Sequence, residues 1–499
     1  MHSSQKSISL TLLSSIAVQL CNVLVALLVP RIIIETYGSD MNGIVAAARQ
    51  FSLYLALMEM SITAATCYRF IEFKKNNNYE RINDLFVTIG GFYKKVGIII
   101  SGIAIVIALF YAITSKSQVN VLTIAVLFLL YESIYVISYF VYYKYNYILF
   151  SNGKQYFIAF GTVISASIAA GVKYFIAIKH LHIIILIAAG VCIDIVRLEV
   201  IRRKVKHDYP YLDIQKGKID KTLLEQKWDS LVMSISDSVK SMIPILCISI
   251  GYGSQFVSVF SVYQTVMHLG TSIITMCSNG LLPVLGMRFT DGNDKASKSF
   301  RQLTIIVFAV GTIISSCFCG MILNFIRLYI GSGSDISYIY PVLGLLLVTN
   351  TWLLMARAPF DILIKAHGRI RELRDGCIIE IVITVAVCII MSLFHRFELI
   401  VIGVVISSFY RVLRMILFCS KELKILPPGI IIKDFVLWLV FAAIVGGCLF
   451  VYIPSTQGII SFIKYVILEL SIAILVSIAY MLILYPQVVN ELRKRIKSI

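Results

Sequence analysis

The stretch that decides the fold covers residues 183–227 and reads IIILIAAGVCIDIVRLEVIRRKVKHDYPYLDIQKGKIDKTLLEQK. Its first part, 183–201, is apolar and long enough for one membrane crossing, because a hydrocarbon core about 30 Å thick needs roughly 20 apolar residues of helix. Its second part, 202–227, is rich in Lys and Arg. An apolar segment followed by a basic one is typical of a transmembrane helix that ends in the cytoplasm.

The same alternation runs along the whole chain of 499 residues, which is 59% hydrophobic and only 14% charged. Fourteen stretches of spanning length, numbered spans 1 to 14, are 10–34, 42–68, 85–113, 119–142, 156–178, 183–201, 229–250, 255–286, 302–329, 337–364, 376–394, 398–420, 431–453 and 459–485. This composition excludes a soluble globular protein. We predict an all-α polytopic membrane protein with about 14 transmembrane helices.

The distribution of basic residues predicts the orientation in the membrane. On one side, the alternate gaps and tails with the adjoining span ends (1–9, 69–95, 143–155, 202–227, 287–301, 365–375, 421–433 and 491–499) hold 32 Lys and Arg residues. On the other side, 35–41, 114–118, 179–182, 251–254, 327–336, 395–397 and 454–458 hold four: Lys116, Lys179, Arg327 and Arg396. The positive-inside rule therefore places both termini in the cytoplasm. The formal net charge of +18 lies in short loops beside apolar helices, where anionic lipids attract it, so we predict no nucleic-acid partner.

A weak internal repeat divides the chain. With a shift of 215, Tyr37-Gly38-Ser39 falls on Tyr252-Gly253-Ser254. We predict four parts: an N-terminal six-helix bundle at 1–201, a basic cytoplasmic linker at 202–227, a C-terminal six-helix bundle at 228–420, and helices 13 and 14 with a basic tail at 421–499. Two pseudo-symmetric bundles of this kind are expected to face each other around a central cavity, with one helix pair appended.

Two basic residues inside the spans predict a binding site. A charge within a span costs about 2.5–3.5 kcal/mol and usually faces protein or water. Arg49 in span 2 and Lys173 in span 5 have no acidic residue three or four positions away. They predict a cationic, water-filled cavity in the outer half of the N-terminal bundle, suited to an anionic substrate, because the arginine fork matches phosphate oxygens.

Other charges within the spans have a simpler interpretation. Asp237–Lys240 and Asp194–Arg197 are spaced i,i+3, and Arg357–Asp361 is spaced i,i+4, so each pair can neutralise itself on one helix face. Arg31, at the outer end of span 1, can extend its charged group to the membrane surface. The eleven cysteines include no CxxC pair, so neither a disulfide nor a metal site is predicted.

Span 4 carries tyrosines at helical spacing on one face, among them Tyr131, Tyr135 and Tyr139. Tyr131 and Tyr135 lie at mid-depth, away from the interface where tyrosine is usual. Aromatic faces with hydroxyl groups can stack on sugar rings and bond their hydroxyls. Helix packing is the alternative interpretation of the same stripe.

The N-terminus shows a resemblance, carried by Asn22, Pro30-Arg31, Tyr37-Gly38, Gly43, Gln50, Tyr54 and Glu59. It resembles the opening of the polysaccharide transport family, the flippases for polyprenyl-diphosphate-linked O-antigen and capsule repeat units. These belong to the multidrug/oligosaccharidyl-lipid/polysaccharide (MOP) superfamily. The resemblance implies a V-shaped, two-lobed fold, alternating access, no enzymatic activity, and a place in the bacterial cytoplasmic (inner) membrane.

The resemblance also implies roles for residues and partners. Arg31 and Arg49 become candidate diphosphate contacts, with Lys173 and Lys240 as secondary ones. The substrate would be a lipid-linked oligosaccharide, and a polysaccharide polymerase and other assembly proteins are candidate partners. No cofactor is implied. No G-x-x-x-x-G-K-[ST] motif is present, so the expected driving force is an ion gradient of H⁺ or Na⁺, membrane potential or metabolic pull. Candidate ion-coupling acids are Glu59, Glu132 and Asp237.

Three alternatives remain open at the level of sequence. The first is an ion-coupled multidrug or cation exporter of the same fold, which acidic cavity residues such as Glu132 and Asp237 would suit. The second, a membrane enzyme acting on lipid-linked sugars, is disfavoured because the outer loops are short. The third, a scaffold for polysaccharide assembly proteins, leaves the charges inside the spans unexplained.

Overall fold

A computed structural model describes residues 2–212, 217–220, 227–288, 293–331, 334–367, 370–423, 425–452 and 458–490. Side chains are described in these ranges except at 2–9, 11–12, 54–68, 227–238, 273–288, 293–296, 365–366, 370–373 and 452. The described residues form helices joined by short loops, without β-strands. The predicted all-α fold is confirmed.

The chain divides into two compact units, Met1–Val259 with Ser334–Ile336, and Phe260–Gly333 with Ser337–Ile499. The helices up to this division are α1 (His2–Lys75), α2 (Tyr79–Thr114), α3 (Val121–Ile137), α4 (Tyr143–Ser151), α5 (Gln155–Ile178), α6 (Ile183–Asp208) and α7 (Lys227–Gly251). The remaining helices are α8 (Ser254–Arg288), α9 (Asn293–Ile330), α10 (Pro341–Ala366), α11 (Ile370–Ser392), α12 (Val401–Lys421), α13 (Pro428–Tyr452) and α14 (Ile459–Leu484). The boundaries predicted from the repeat stay predictions.

Each predicted span coincides with a helix. Spans 1 and 2 lie in α1, span 3 lies in α2, span 4 covers α3 and the π-helical turn Ser138–Tyr142, and spans 5 to 14 lie in α5 to α14. Ten helical segments of the described chain are long and apolar enough to cross a membrane. A run of about 20 apolar residues forms a helix in lipid because no water is present there to bond the backbone groups.

Spans 1 and 2 are joined more tightly than the sequence suggests. Helix α1 continues across the predicted loop 35–41 and is broken only at Gly38, with φ 86° and ψ 168°. This conformation is essentially restricted to glycine. The break exposes the backbone N–H of Ser39, which donates to the Asp335 carboxylate at 3.1 and 3.2 Å. A distant aspartate therefore caps the second arm of α1, in the manner of an N-cap.

The second member of the sequence repeat also has a glycine with a positive φ. Gly253 also has a positive φ, 107°, and the hydroxyl of the following Ser254 donates to Asp40. Asp40 further accepts hydrogen bonds from Ser117 Oγ at 2.7 Å and from the backbone N–H of Gln118 at 2.9 Å. This one carboxylate connects three outer loops of the first unit.

The Gly38 break gives a first prediction. Gly38→Ala is expected to lower the free energy of unfolding by about 1–3 kcal/mol, because a Cβ disfavours this backbone conformation. Gly102→Ala is the matched control: Gly102 is a helical glycine in α2 whose added Cβ meets no atom within 4 Å. The control should be neutral or slightly stabilising. Thermal unfolding of the detergent-solubilised proteins measures the stability of both variants. Equal midpoints for Gly38→Ala and Gly102→Ala would show that the backbone at Gly38 does not require glycine.

In the second unit, an ion pair connects α9 to α13 near the N-terminal ends of both helices. Arg301 Nε lies 2.9 Å from Asp434 Oδ2, and Arg301 Nη2 lies 3.3 Å from Oδ1. Asp434 also accepts a hydrogen bond from the Tyr485 hydroxyl at 3.1 Å. Because Tyr485 directly follows α14, this carboxylate holds the ends of three helices together.

Candidate functional site

Four helices of the first unit carry the predicted basic and aromatic site residues. Helix α1 contacts α3 and α5, and α6 contacts the same two helices. Counting 1.5 Å per residue from the outer helix ends, Arg49, Tyr131, Lys173 and Asp194 lie about 8–16 Å into the membrane. These residues from four helices therefore lie between the predicted outer surface and about the middle of the membrane.

Arg49 lies on the second arm of α1 with an exposed side chain. Its charge acts on Tyr131 and Tyr135 of α3 and on Lys173 of α5. Among the described side chains, none forms a hydrogen bond or an ion pair with its guanidinium. Its donors are therefore available to a ligand.

Lys173 points from α5 toward α6, where Gly190 leaves space for it. A Cβ at Gly190 would lie 2.7 Å from Lys173 Cε and 3.1 Å from Nζ. The charged groups that act on Lys173 are Arg49 and Asp194. The sequence predicted Arg49 and Lys173 as one cationic site, and the structure places both within one electrostatic cluster.

Asp194 is the acidic member of this cluster and is already engaged. Its carboxylate pairs with Arg197 Nη2 at 3.3 Å, as the i,i+3 spacing predicted, and accepts a hydrogen bond from Ser165 at 3.4 Å. Arg197 Nη1 also donates to Thr162 Oγ1 at 3.0 Å. With Arg49, Lys173 and Arg197 around a single described acid, the cluster carries a surplus of positive charge.

Tyr131 and Tyr135 extend this cluster along α3. Both side chains are half-buried. Tyr135 is acted on by Arg49 of α1 and by Asp194 and Arg197 of α6, so it lies among the charges of two neighbouring helices. Two aromatic faces beside unpaired donors can contact both the ring and the charged part of a ligand.

Tyr139 lies in a different environment from the other two tyrosines. Residues Ser138–Tyr142 form a π-helical turn, which shifts the helix register between Tyr135 and Tyr139. Tyr139 is 2% exposed and packs edge-on against Tyr93 and Tyr143, with ring centroids 5.9 and 4.7 Å away. Helix packing accounts for Tyr139, and its predicted sugar contact has no support in this geometry.

Glu132, on α3 next to Tyr131, is 1% exposed. Neither of its carboxylate oxygens has a hydrogen-bond partner within the described part of the chain. An ionised carboxylate in such a place is costly unless something pairs with it. Glu132 therefore stands out among the predicted ion-coupling acids.

The other predicted residues lie apart or outside the described side chains. Arg31 Nε pairs with Glu35 Oε1 at 2.9 Å, and both side chains are about half exposed. Lys240 lies on α7 and is 6% exposed and engaged. Glu59 and Asp237 lie in α1 and α7, but their side chains are outside the described residues.

The second unit holds a buried ionic network that sequence analysis found only in part. Arg357 Nε pairs with Asp361 Oδ2 at 3.0 Å, as predicted, and Arg357 Nη1 lies 4.0 Å from Glu380 Oε1. The unpredicted member is Arg411 of α12, whose Nε lies 4.0 Å from Glu380 Oε2. Its guanidinium occupies the space beside Gly376, where an added Cβ would lie 2.1 Å from Nη1.

Glu469 of α14 was also missed. It is 1% exposed, and neither carboxylate oxygen has a hydrogen-bond partner within the described part of the chain. Its charge acts on Cys317 and Cys319 of α9. The signal was present in the sequence, because Glu469 is an acid in the middle of span 14 and such positions are functional candidates by default.

Solved structures share this fold. The lipid II flippase MurJ in an inward closed conformation matches with a TM-score of 0.70 and 14% identity, over 94% of this chain and 99% of that chain. An inward-facing multidrug resistance MATE family transporter of the MOP superfamily matches with a TM-score of 0.62 and 14% identity, over 85% and 96%. A eukaryotic MATE transporter matches with a TM-score of 0.55 and 12% identity, over 89% and 98%.

These matches establish the fold of the chain. At 12–14% identity they show the fold alone, and their titles describe a flippase and transporters. Membership of the MOP superfamily stays a prediction. No protein-family model matches the chain, and no curated protein matches it in sequence. The narrower resemblance to the polysaccharide transport family stays a prediction.

Proposed function

We propose that this protein is a flippase that moves a polyprenyl-diphosphate-linked oligosaccharide from the cytoplasmic to the outer leaflet by alternating access. The observation that carries the proposal is the joint position of Arg49 and Lys173. They come from different helices, the charge of Arg49 acts on Lys173, and the acid that acts on Lys173, Asp194, is already paired with Arg197. The product would supply synthesis of O-antigen, capsule or exopolysaccharide in a bacterial cytoplasmic membrane.

The chemistry of the substrate fits these residues. A diphosphate carries negative charge that cannot cross hydrocarbon unaided. Arg49 can bond two phosphate oxygens in parallel, and Lys173 adds a compact point charge beside it. Tyr131 and Tyr135 lie next to these donors, where they would contact the first sugars while the polyprenyl chain stays in lipid. A polymerase that consumes the flipped product is the expected partner.

A second candidate function is an ion-coupled exporter of organic cations. The observation that favours it is Glu132, whose buried carboxylate has no described hydrogen-bond partner. A cationic drug would pair with such an acid. The surplus of positive charge around Arg49 argues against an exporter of organic cations, because a cation would be repelled from that region.

Depletion of the protein in its native host separates the two candidates. If the protein is a flippase, its depletion should cause polyprenyl-diphosphate oligosaccharide to accumulate in extracted lipids. The accumulated oligosaccharide should stay inaccessible to an external lectin, and surface glycan should be lost. Unchanged lipid-linked sugars with new sensitivity to cationic drugs would support the exporter. Restoring the protein from a plasmid should reverse whichever phenotype is seen.

Glu132 gives a prediction about coupling. Glu132→Gln keeps the shape of the side chain but removes a group that binds a proton or Na⁺, so the stimulation of transport by an imposed ion gradient should fall by about fivefold or more. Proteoliposomes with an H⁺ or a Na⁺ gradient measure this and identify the ion.

Glu469→Gln is the matched control for Glu132. Glu469 is equally buried and also lacks a described hydrogen-bond partner, but it lies in α14, outside the repeated helices. The control should keep the response to the gradient. Loss of the response in Glu469→Gln with a normal response in Glu132→Gln would move the coupling site to the second unit.

A further inference from the structure

Four basic side chains on three helices of the first unit lie near one another, where α4 packs against α2 and α6. Lys94 belongs to α2, Lys144 to α4, and Arg202 and Lys206 to α6. The charges that act on Lys144 are those of Lys94, Lys206 and Arg202. We name these four residues the inner basic cluster. It is separate from the Arg49 site, which lies near the outer ends of its helices.

Helix geometry places the inner basic cluster at the cytoplasmic membrane surface. At 1.5 Å per residue, Lys94 lies about 30 Å from the outer end of α2 at Thr114. Lys144 lies about 35 Å from the start of α3, and Arg202 about 29 Å from the start of α6. The hydrocarbon core is about 30 Å thick. All three helices therefore bring their cations to the level of the inner phosphate groups.

Lys144 is held in place by its packing. Its Nζ lies 5.7 Å from the ring centroid of Phe86 and 5.4 Å from that of Tyr145. A Cβ at Gly90 would lie 3.4 Å from its Cδ, so the lysine stem lies directly against α2. A cation fixed in this way loses little rotamer entropy when it binds an anion.

The nearest acid on α6, Glu199, is shared by several groups. It pairs with Arg202 Nε at 3.4 Å and Arg203 Nε at 3.1 Å, and accepts a hydrogen bond from the Tyr142 hydroxyl at 3.3 Å. Arg202 Nε makes no hydrogen bond in the described structure, so even this pair is incomplete. Glu199 therefore leaves most of the charge of the cluster unbalanced.

Asp208, the other acid at this end of α6, is engaged by residues outside the cluster. Lys204 Nζ donates to Oδ1 at 2.9 Å and Lys154 Nζ to Oδ2 at 3.1 Å. The hydrogen bond from Lys204 is the main cause that lowers the pKa of Asp208 to about 2. Burial acts in the opposite direction, and the hydrogen bond from Lys154 adds to the lowering. No described acid pairs with Lys94, Lys144 or Lys206. Among the described residues, Glu199 is therefore the one acid that pairs with a member of the cluster, and the three lysines pair with none.

We propose that the inner basic cluster binds the phosphate group of an acidic lipid in the cytoplasmic leaflet. Ile98 lies one turn outward from Lys94 on the same helix face and is 66% exposed, which places acyl chains beside the bound phosphate. Basic pockets between transmembrane helices on the cytoplasmic side suit such head groups. This site goes beyond the proposed transport function, because it does not depend on which substrate is moved.

The test measures lipid retained by the full-length protein. Wild type and K94Q/K144Q/K206Q are reconstituted in vesicles of phosphatidylglycerol and phosphatidylcholine, extracted in detergent, and analysed by native mass spectrometry. Wild type should retain phosphatidylglycerol, and the variant should bind it about 10- to 100-fold more weakly. The control K298Q/K421Q/K433Q, which removes three exposed cytoplasmic lysines of the second unit, should match wild type.

Two further arms identify the ligand and guard against misfolding. Inorganic diphosphate is added as a soluble competitor: if wild type binds it as tightly in pure phosphatidylcholine as it binds phosphatidylglycerol, the ligand is a free phosphate group and the lipid proposal is wrong. Equal retention by wild type and the triple variant also overturns it. If the triple variant elutes as aggregate, the exposed single variant Lys94→Gln must still lose phosphatidylglycerol relative to Lys298→Gln.

Discussion

Replacing Arg49 with alanine is expected to abolish surface polysaccharide while the protein remains in the membrane at its normal level. Arg49 is exposed, and no described side chain bonds its guanidinium, so its removal should cost the fold little. The substitution would remove two charge-assisted hydrogen bonds to the substrate, each of which contributes about 1.5–3 kcal/mol to binding. Transport of the diphosphate lipid should therefore fall by at least about 100-fold. Glycan staining of cells and immunoblotting of membranes measure the two quantities.

Two related variants sharpen the Arg49 prediction. Arg49→Lys keeps the charge but loses the bidentate fork, so it should retain more transport than Arg49→Ala. Arg31→Ala should have a smaller effect than Arg49→Ala, because the Arg31 guanidinium is already paired with Glu35 at 2.9 Å. Normal surface polysaccharide in Arg49→Ala would remove Arg49 from the site, whereas equal loss in Arg31→Ala would place the diphosphate nearer the outer surface.

The helices were predictable because their formation depends on composition alone. In lipid, a run of apolar residues satisfies its own backbone hydrogen bonds only as a helix, so tertiary contacts are not needed to locate it. The joint cationic site of Arg49 and Lys173 stays a prediction. A charge without an acidic neighbour on its own helix must find its environment on another helix or in water, and the charge of Arg49 does act on Lys173.

The details that failed depend on single residues of backbone geometry. The tyrosine stripe of span 4 assumes a constant 3.6-residue period, but the π turn at Ser138–Tyr142 changes the register and sends Tyr139 into a packed aromatic cluster. The loop predicted at 35–41 shrinks to a break at Gly38, because one glycine with positive φ can redirect the chain while a distant carboxylate caps the next helix. Neither the π turn nor the break at Gly38 produces a periodic pattern in the sequence from which it could be predicted.

Contacts between polar residues that lie far apart in the sequence are the other group of features that were not predicted. Asp335 lies 296 positions from its partner Ser39, and nothing in the local sequence marks that contact. Glu469 and Arg411 differ, because each is a charged residue inside an apolar span. Treating every such charge as a functional or structural candidate would have found both.

The buried network of the second unit gives the largest expected effect on stability. Glu380 is 2% exposed and lies 4.0 Å from a nitrogen of both Arg357 and Arg411, and Arg411 is itself 2% exposed. Glu380→Ala would remove the carboxylate that lies 4.0 Å from the buried Arg411 guanidinium. Breaking a buried pair in this way costs about 3–5 kcal/mol. Thermal unfolding in detergent should show a large fall in the midpoint, together with lower protein levels in the membrane.

Removing both charges at once distinguishes a lost partner from lost packing. Glu380→Leu combined with Arg411→Met replaces the pair with apolar side chains, which is often neutral or stabilising, so the double variant should regain most of the stability that Glu380→Ala loses. Glu35→Ala, which breaks the exposed pair with Arg31, should cost only about 0–1 kcal/mol. A double variant as unstable as Glu380→Ala would mean that packing around Gly376, rather than charge balance, sets the stability of α11 and α12.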